Sequence, residues 1–309
     1  MKEMQSKRGL KAKTIKTILR KKINKWLMSI KNEELRNLCR NEAIVTGGAI
    51  ASMLSGEDVN DFDVYFRTKE TVKAVADYYV SEFLKSKEKQ GGGPVHCYVE
   101  ELTDISGKYR VRIVVQSDGT ASLDHDAGQY VDEAFDVLDA NNLIGCDDEL
   151  DLNVDDYSPQ FISSNAISLR GKVQLILRFY GHPEEIHQNY DFAHCMNFWE
   201  SGESKLTLKQ DALECLLSRT LVYHGSQYPL CSVIRSRKFI ERGWRINAGQ
   251  YLKMAMQLSE LDLSDHLVLE EQLTGVDVAY FSEVIQKIKA KDPNKVDATY
   301  LVQIINRMF

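Results

Sequence analysis

Apolar positions along the chain change their period several times. From Lys11 to Arg40, Ile15, Ile18, Leu19, Ile23, Trp26, Leu27, Ile30, Leu35 and Leu38 recur at helical spacing. That stripe predicts one or two amphipathic helices with lysines turned outward. A short apolar run at Ile44-Val45 then leads through Gly47-Gly48 into a helix-compatible segment, and Asp61-Phe62-Asp63-Val64-Tyr65-Phe66 follows. The order read there is strand, turn, short helix, strand. Lys69 to Lys87 carries Val72, Val75, Ala76, Tyr79, Val80 and Phe83, the mark of a helix lying on a sheet.

Two strands are expected at Val95 to Leu102 and Tyr109 to Gln116, after a glycine-rich loop at Gln90 to Pro94 and before a Ser117-Asp118-Gly119 turn. Ile162 to Phe179 reads as a hairpin around Arg170-Gly171-Lys172. A short helix with Pro183 near its start should deliver Asp191 to Asn197 as a further strand. Beyond Leu206 the spacing is helical throughout. The fold class expected is α+β: a small mixed or antiparallel sheet flanked by helices, followed by an all-helical C-terminal domain. The divisions expected are a basic helical segment over 1–42, a central domain over 43–200 with an insertion near 117–160, and a helical domain over 201–309.

Composition narrows the class. With 309 residues, 43% hydrophobic and 27% charged, the chain can bury a large core and has room for two domains. No apolar stretch is long enough to span a membrane, and the basic amino terminus has no apolar signal core, so a cytoplasmic protein is expected. The six cysteines show no Cys-x-x-Cys spacing and read as reduced thiols; Cys195, near His187 and His194, reads as core packing and not as zinc. The net charge of −6 hides a polarity. Lysines and arginines crowd Met1 to Trp26 against the single acid Glu3, whereas Ile113 to Leu169 contains none. The basic leader is a candidate footprint for nucleic-acid phosphates. The acidic stretch, with Asp147, Asp148, Glu149 and Asp151, reads as solvated surface lacking EF-hand spacing.

The densest chemistry lies in Val45 to Phe66. Strand side chains alternate, so Asp61 and Asp63 share a face while Phe62 and Val64 take the other. Two carboxylates about 7 Å apart along a strand repel unless a cation joins them, and hard oxygen ligands favour Mg²⁺ or Mn²⁺. Gly47 and Gly48 leave backbone N–H groups open at a helix start, which suits a phosphate chain. Together they suit a nucleoside triphosphate carried with its metal.

At these residues the chain resembles the nucleotidyltransferase superfamily with a DNA polymerase β-like core, most nearly the Gly-Gly branch of tRNA CCA-adding enzymes and bacterial poly(A) polymerases. That branch usually has Arg-Asp shortly after the glycines; Ala51-Ser52 stands there instead. The resemblance implies a nucleotidyltransferase sheet, an NTP substrate, and metal held by Asp61, Asp63 and a third carboxylate from a later strand. Asp191 is the candidate for that third position, with Asp118 and Glu100 as competitors. It also implies phosphate contacts from Gly47 and Gly48, with Ser52 adding a hydroxyl. A basic helix after the catalytic domain would bring Arg235 and Lys238, three residues apart on one face, to the triphosphate and base.

The expected activity is metal-dependent transfer of a nucleoside monophosphate to a hydroxyl, foremost the 3′ end of a tRNA-like RNA. Transfer to a protein or small molecule, as in toxins and resistance factors, is the alternative. A nucleotide-binding module without turnover is a third reading.

Overall fold

In a computed structural model of the chain, the described residues are 8–89, 95–103, 109–117 and 157–273 except Ser264, with 300, 302–303 and 305–306. The loop at 90–94, the turn at 117–119 beyond Ser117, the acidic stretch to 156, and most of the helical pattern after 273 lie outside them. Two compact units emerge, one comprising Met1–Pro183 with Phe198–Thr207, the other Glu184–Asn197 with Leu208–Phe309.

The first unit is built on a seven-stranded sheet. Helix α1 (Ala12–Ser29) buries Ile15, Leu19, Ile23, Trp26 and Leu27, the stripe anticipated from sequence, and ends as Ile30 becomes extended. Asn32 caps α2 (Glu33–Glu42), its side chain accepting from the Leu35 N–H; Glu33 and Glu34 occupy the first turn and Arg40 the last, each favourable to the helix dipole. α2 runs straight into β1 (Ala43–Thr46), all four of whose residues are buried. A strand covered on both faces reads as an unbroken apolar run.

Gly47 then turns the chain into α3 (Gly48–Ser55), and the chain returns as β2 (Phe62–Phe66), antiparallel to β1. α4 (Lys69–Lys89) follows. β3 (Val95–Thr103) and β4 (Tyr109–Ser117) pair along their full length as a separate two-stranded sheet. β5 (Pro159–Ile162), β6 (Ala166–Leu169) and β7 (Val173–Ile176) form a meander whose last strand lies parallel to β2. β8 (Phe198–Glu200) and β9 (Lys205–Thr207) complete the order β5-β6-β7-β2-β1-β8-β9.

Alternation along β2 assigns its two faces. The Phe66 ring lies 6.3 Å from that of Trp26, and Lys22 Nζ stands 5.3 Å from the Phe62 ring centroid, so Phe62, Val64 and Phe66 face α1. Trp26 Nε1 donates to the Tyr79 hydroxyl at 2.8 Å, bringing α4 into the same layer. Glu42 Oε2 accepts from the hydroxyls of Thr68 and Thr71, both at 2.6 Å, and ties the end of α2 to the start of α4. The opposite face is left to Asp61, Asp63 and Tyr65.

The second unit begins within the short helix α5 (Pro183–His187), at Glu184, and is helical in character, as expected: α6 (Gln210–Ser218), α7 (Pro229–Glu241), α8 (Ala248–Leu258) and α9 (His266–Leu273). A parallel pair of two-residue strands, β10 (Thr220–Leu221) and β11 (Arg245–Ile246), links them. Its core gathers Phe192, Ala193, Cys215, Leu221, Tyr223, Trp244 and Met254. The strand expected at 191–197 is not formed. Asp191 sits in a bend, Phe192 makes a lone bridge with Tyr223, and Ala193–Cys195 is a 3-10 turn; the strand starts only at Phe198. Phe192 is fully buried against Tyr223 and Phe239, and this tertiary packing outweighs the local strand pattern. Among the described residues, no helix is long and apolar enough to cross a membrane.

Candidate functional site

The site in the first unit follows from register. Val45 pairs with Val64 in the antiparallel β1–β2 ladder, so the C-terminal end of β1 and the N-terminal end of β2 lie side by side. The glycine corner and the two acids therefore share one end of the sheet. Parallel β7 brings its own N-terminal end there, pairing Val173 with Phe62 and Gln174 with Asp63. The Lys172 carbonyl accepts from the Phe62 N–H at 2.7 Å and fixes that register where the strand begins.

Gly47 has φ 102° and ψ −152°, a region essentially closed to side-chain-bearing residues. Gly48 is glycine for a different reason. A Cβ built there meets nothing within 4 Å, so the first turn of α3 opens onto free space. Backbone donors exposed in this way suit an oxyanion. Ser52 lies on the same helix, 8% exposed, and its carbonyl accepts from the Glu57 N–H at 2.9 Å.

Asp61 is exposed at the mouth of β2 and Asp63 is half-buried inside it. Gln174, paired with Asp63, reaches both. With its amide nitrogen turned toward the acids, Nε2 lies 3.2 Å from Asp61 Oδ2 and 3.1 Å from Asp63 Oδ1. This confirms that the two carboxylates converge on one face. It also places an amide on the strand next to them, where the sequence reading sought an acid. A lone Gln in the run Val173-Gln174-Leu175-Ile176 signals only a solvent-facing position until the register is known.

Asp191 belongs to the second unit, off any strand, and its Oδ2 accepts from Arg235 Nη1 at 2.5 Å. Both side chains are largely buried, at 13% and 22% exposure. Glu100 on β3 is bonded to Arg112 at 2.6 Å, and Asp118 falls outside the described residues. Lys238 shares α7 with Arg235 and is exposed. Tyr223 lies in the same electrostatic neighbourhood: burial pushes its phenol up to about 12, with the Asp191 carboxylate adding to the rise while a Ser232 hydrogen bond and the Arg235 charge oppose it.

His187 and His194 are both buried, whereas Cys195, read from sequence as core packing, is partly exposed. His194 lies between Phe239 and Trp244, with ring centroids at 4.6 and 4.3 Å. Burial, helped by the Arg242 charge, lowers its pKa to about 3. His187 is likewise lowered to about 3 by burial and by Lys209, whose Nζ sits 3.0 Å from Nδ1. Among the described residues, no group of three or more His, Cys, Asp or Glu is arranged to hold a metal ion.

These features define an α+β protein whose mixed sheet presents a glycine corner and a carboxylate pair at one end. The chain belongs to the Gabija anti-defense 2 family, whose profile matches residues 17–219. A curated relative, "Gabija anti-defense 2" of Bacillus phage SPbetaL7, is 21% identical over 277 residues, covering 89% of this chain and 52% of its own length. The chain thus spans about half the length of the curated relative it matches. Among solved structures, the Thermotoga maritima CCA-adding enzyme complexed with tRNA matches with TM-score 0.39 and 11% identity, over 93% of this chain and 53% of its own. The Bacillus stearothermophilus CCA-adding enzyme in complex with CTP matches with TM-score 0.39 and 12% identity, over 84% and 50%.

Proposed function

We propose that the first unit binds a nucleoside triphosphate with a divalent cation and passes its nucleoside monophosphate to a hydroxyl acceptor. One observation carries this reading: Asp61 and Asp63 converge on a single amide at the strand end that adjoins the Gly47 corner. The donor set fits the ligands. Two carboxylates on one face suit Mg²⁺ or Mn²⁺, whose coordination is ordinarily completed by phosphate oxygens and water, and the open space above Gly48 admits a phosphate chain. In this reading Asp61 and Asp63 hold the cation, the backbone N–H groups of Gly47 and Gly48 orient the phosphates, and Ser52 supports them from the same helix. A bound cation supplies charge neutralisation of the triphosphate and of the leaving pyrophosphate. The chain's own part is positioning and electrostatic stabilisation.

Membership of an anti-defence family favours an acceptor within the Gabija system over tRNA. A protein hydroxyl is the acceptor proposed. An RNA acceptor keeps one observation in its favour: Lys11, Lys13, Lys16, Arg20 and Lys21 are exposed along α1. The test is to incubate the protein with each triphosphate labelled at the α-phosphate, Mg²⁺ or Mn²⁺, and either purified Gabija proteins or total RNA. Label should enter the protein fraction and vanish in Asp61→Ala and Asp63→Ala. Absence of label in both fractions, with no metal-dependent nucleotide binding, would refute the reading.

A further inference from the structure

We infer that Lys22 and Lys172 form an anion-binding rim on the acceptor side of this centre, which receives a carboxylate carried next to the acceptor hydroxyl. The inference rests on the nucleotidyl-transfer reading above and adds the chemistry by which the site would choose its protein acceptor.

The order of strands divides the mouth of the sheet into two sides. β2, which carries the acids, lies between β1 and β7. On the β1 side stands the Gly47 corner, the proposed seat of the phosphates. In phosphoryl transfer the attacking and leaving oxygens lie roughly in line across the reacting phosphorus. With the leaving pyrophosphate held toward Gly47, the hydroxyl must arrive from the β7 side.

That side is bordered by the turn Arg170-Gly171-Lys172, which joins β6 to β7. Gly171 and Lys172 both have positive φ, 75° and 60°. Glycine or asparagine fills such positions at least cost, so the lysine is held there against local preference. Lys172 Nζ donates to the Val59 carbonyl at 3.2 Å, just ahead of Asp61. Lys22 reaches the same turn from α1: its Nζ donates to the Gly171 carbonyl at 3.2 Å and stands 5.3 Å from the Phe62 ring centroid. Two ammonium groups from different elements are thus fastened by main-chain carbonyls around the point where β2 and β7 begin.

Their electrostatics favour an anion. Burial lowers the Lys22 pKa, and the charges of Lys25 and Lys172 lower it further, a repulsion that a bound carboxylate would relieve. An ammonium carries three N–H donors, and each of these lysines gives one to the main chain, so a carboxylate can be received without breaking either contact. Asp61 is exposed on the same rim and opposes an anion, but in the loaded centre the cation offsets its charge. Two fixed ammonium groups at one turn suit a single acidic side chain. A polynucleotide strand would instead follow the exposed Lys13, Lys16 and Arg20 along α1.

Binding tests this without requiring turnover. A labelled short peptide of glutamates around one serine, and separately a labelled oligouridylate, are titrated by fluorescence anisotropy into the full-length protein. Mg²⁺ and a triphosphate analogue that cannot be cleaved between its α- and β-phosphates are present throughout. Wild type should bind the acidic peptide. Lys172→Asn suits the turn while removing the charge, and should weaken the peptide about tenfold with nucleotide affinity unchanged. Lys22→Gln should weaken it similarly and Lys22→Arg should keep it; if Lys22→Gln melts lower through loss of its bond to Gly171, Lys172→Asn decides. Undiminished peptide binding in Lys172→Asn, or no peptide binding by a wild type that binds nucleotide, would overturn the inference and leave the reading beneath it intact. Loss of nucleotide affinity in Lys172→Asn would also overturn it, by moving the lysine to the triphosphate. Tighter binding of the oligouridylate, lost in the same variants, would overturn it by making the anion a nucleic-acid phosphate. A wild type that binds no nucleotide with Mg²⁺ would remove the underlying reading and the inference with it.

Discussion

Arg235 on α7 holds Asp191 by a 2.5 Å hydrogen bond between opposite charges, in a part of the second unit where both side chains are largely shielded from water. A charge-assisted bond of this kind contributes about 1.5–3 kcal/mol. Asp191→Asn and Arg235→Gln should each lower the stability of the second unit by that order. The double variant should lose less than the two singles combined, a coupling that a double-mutant cycle in urea would measure. Strict additivity would show that the pair does not interact in solution.

Asp61→Ala and Asp63→Ala should abolish metal-dependent nucleotide binding without unfolding the protein. Calorimetric titration with a triphosphate and Mg²⁺ reads the first effect and a thermal melt the second. A variant that melts lower yet binds nucleotide normally would assign these acids a structural role.

The two glycines should respond in opposite ways. Gly47→Ala forces a side chain into a backbone conformation it avoids and should cost about 1–3 kcal/mol. Gly48→Ala adds a methyl to open space at a helix start, and by restricting the unfolded chain it should gain about 0.4–1 kcal/mol. That same methyl stands where a phosphate would approach, so nucleotide affinity should fall as stability rises. Unchanged affinity in Gly48→Ala would place the phosphates elsewhere.

Acid should weaken the second unit through its buried histidines. His187 and His194 have folded pKa values near 3, against an ordinary value near 6.5. Between those values the unfolded chain takes up protons that the folded one refuses. Stability is therefore full above about pH 6.5 and declines as pH falls toward 3, by up to about 1.4 kcal/mol per pH unit for each histidine. Neither ring nitrogen of His194 meets a hydrogen-bond partner among the described residues. His194→Leu should thus be neutral or stabilising at pH 7 and should flatten the profile, as followed by urea midpoints from pH 7.5 to 5.

The glycine corner, the Asp-x-Asp strand and the amphipathic helices were legible because each is a local pattern: spacing and alternation alone place Gly47, Asp61, Asp63 and the buried stripe of α1. Gln174 was not legible. It lies over a hundred positions beyond Asp63, and only the parallel pairing of β7 with β2 gives it a meaning. The misread strand at Asp191 fails for the opposite reason. Phe192-Ala193-His194-Cys195 has the local look of a strand, but three of those four side chains are drawn into an aromatic core that no short window reveals. Arg235 could be picked out as part of a basic helix, whereas its engagement by Asp191 depends on tertiary structure.

Helix α1 lays Ile15, Leu19, Ile23 and Trp26 against the back of the sheet, while Lys22 Nζ donates to the Gly171 carbonyl at 3.2 Å. Amputating the leader at Trp26 would therefore strip a wall from the first unit, and any loss of activity would be indistinguishable from collapse. Whether its positive charge touches a partner has to be asked residue by residue, by reversing Lys13, Lys16 and Lys21 on the outer surface while the inner one stays seated.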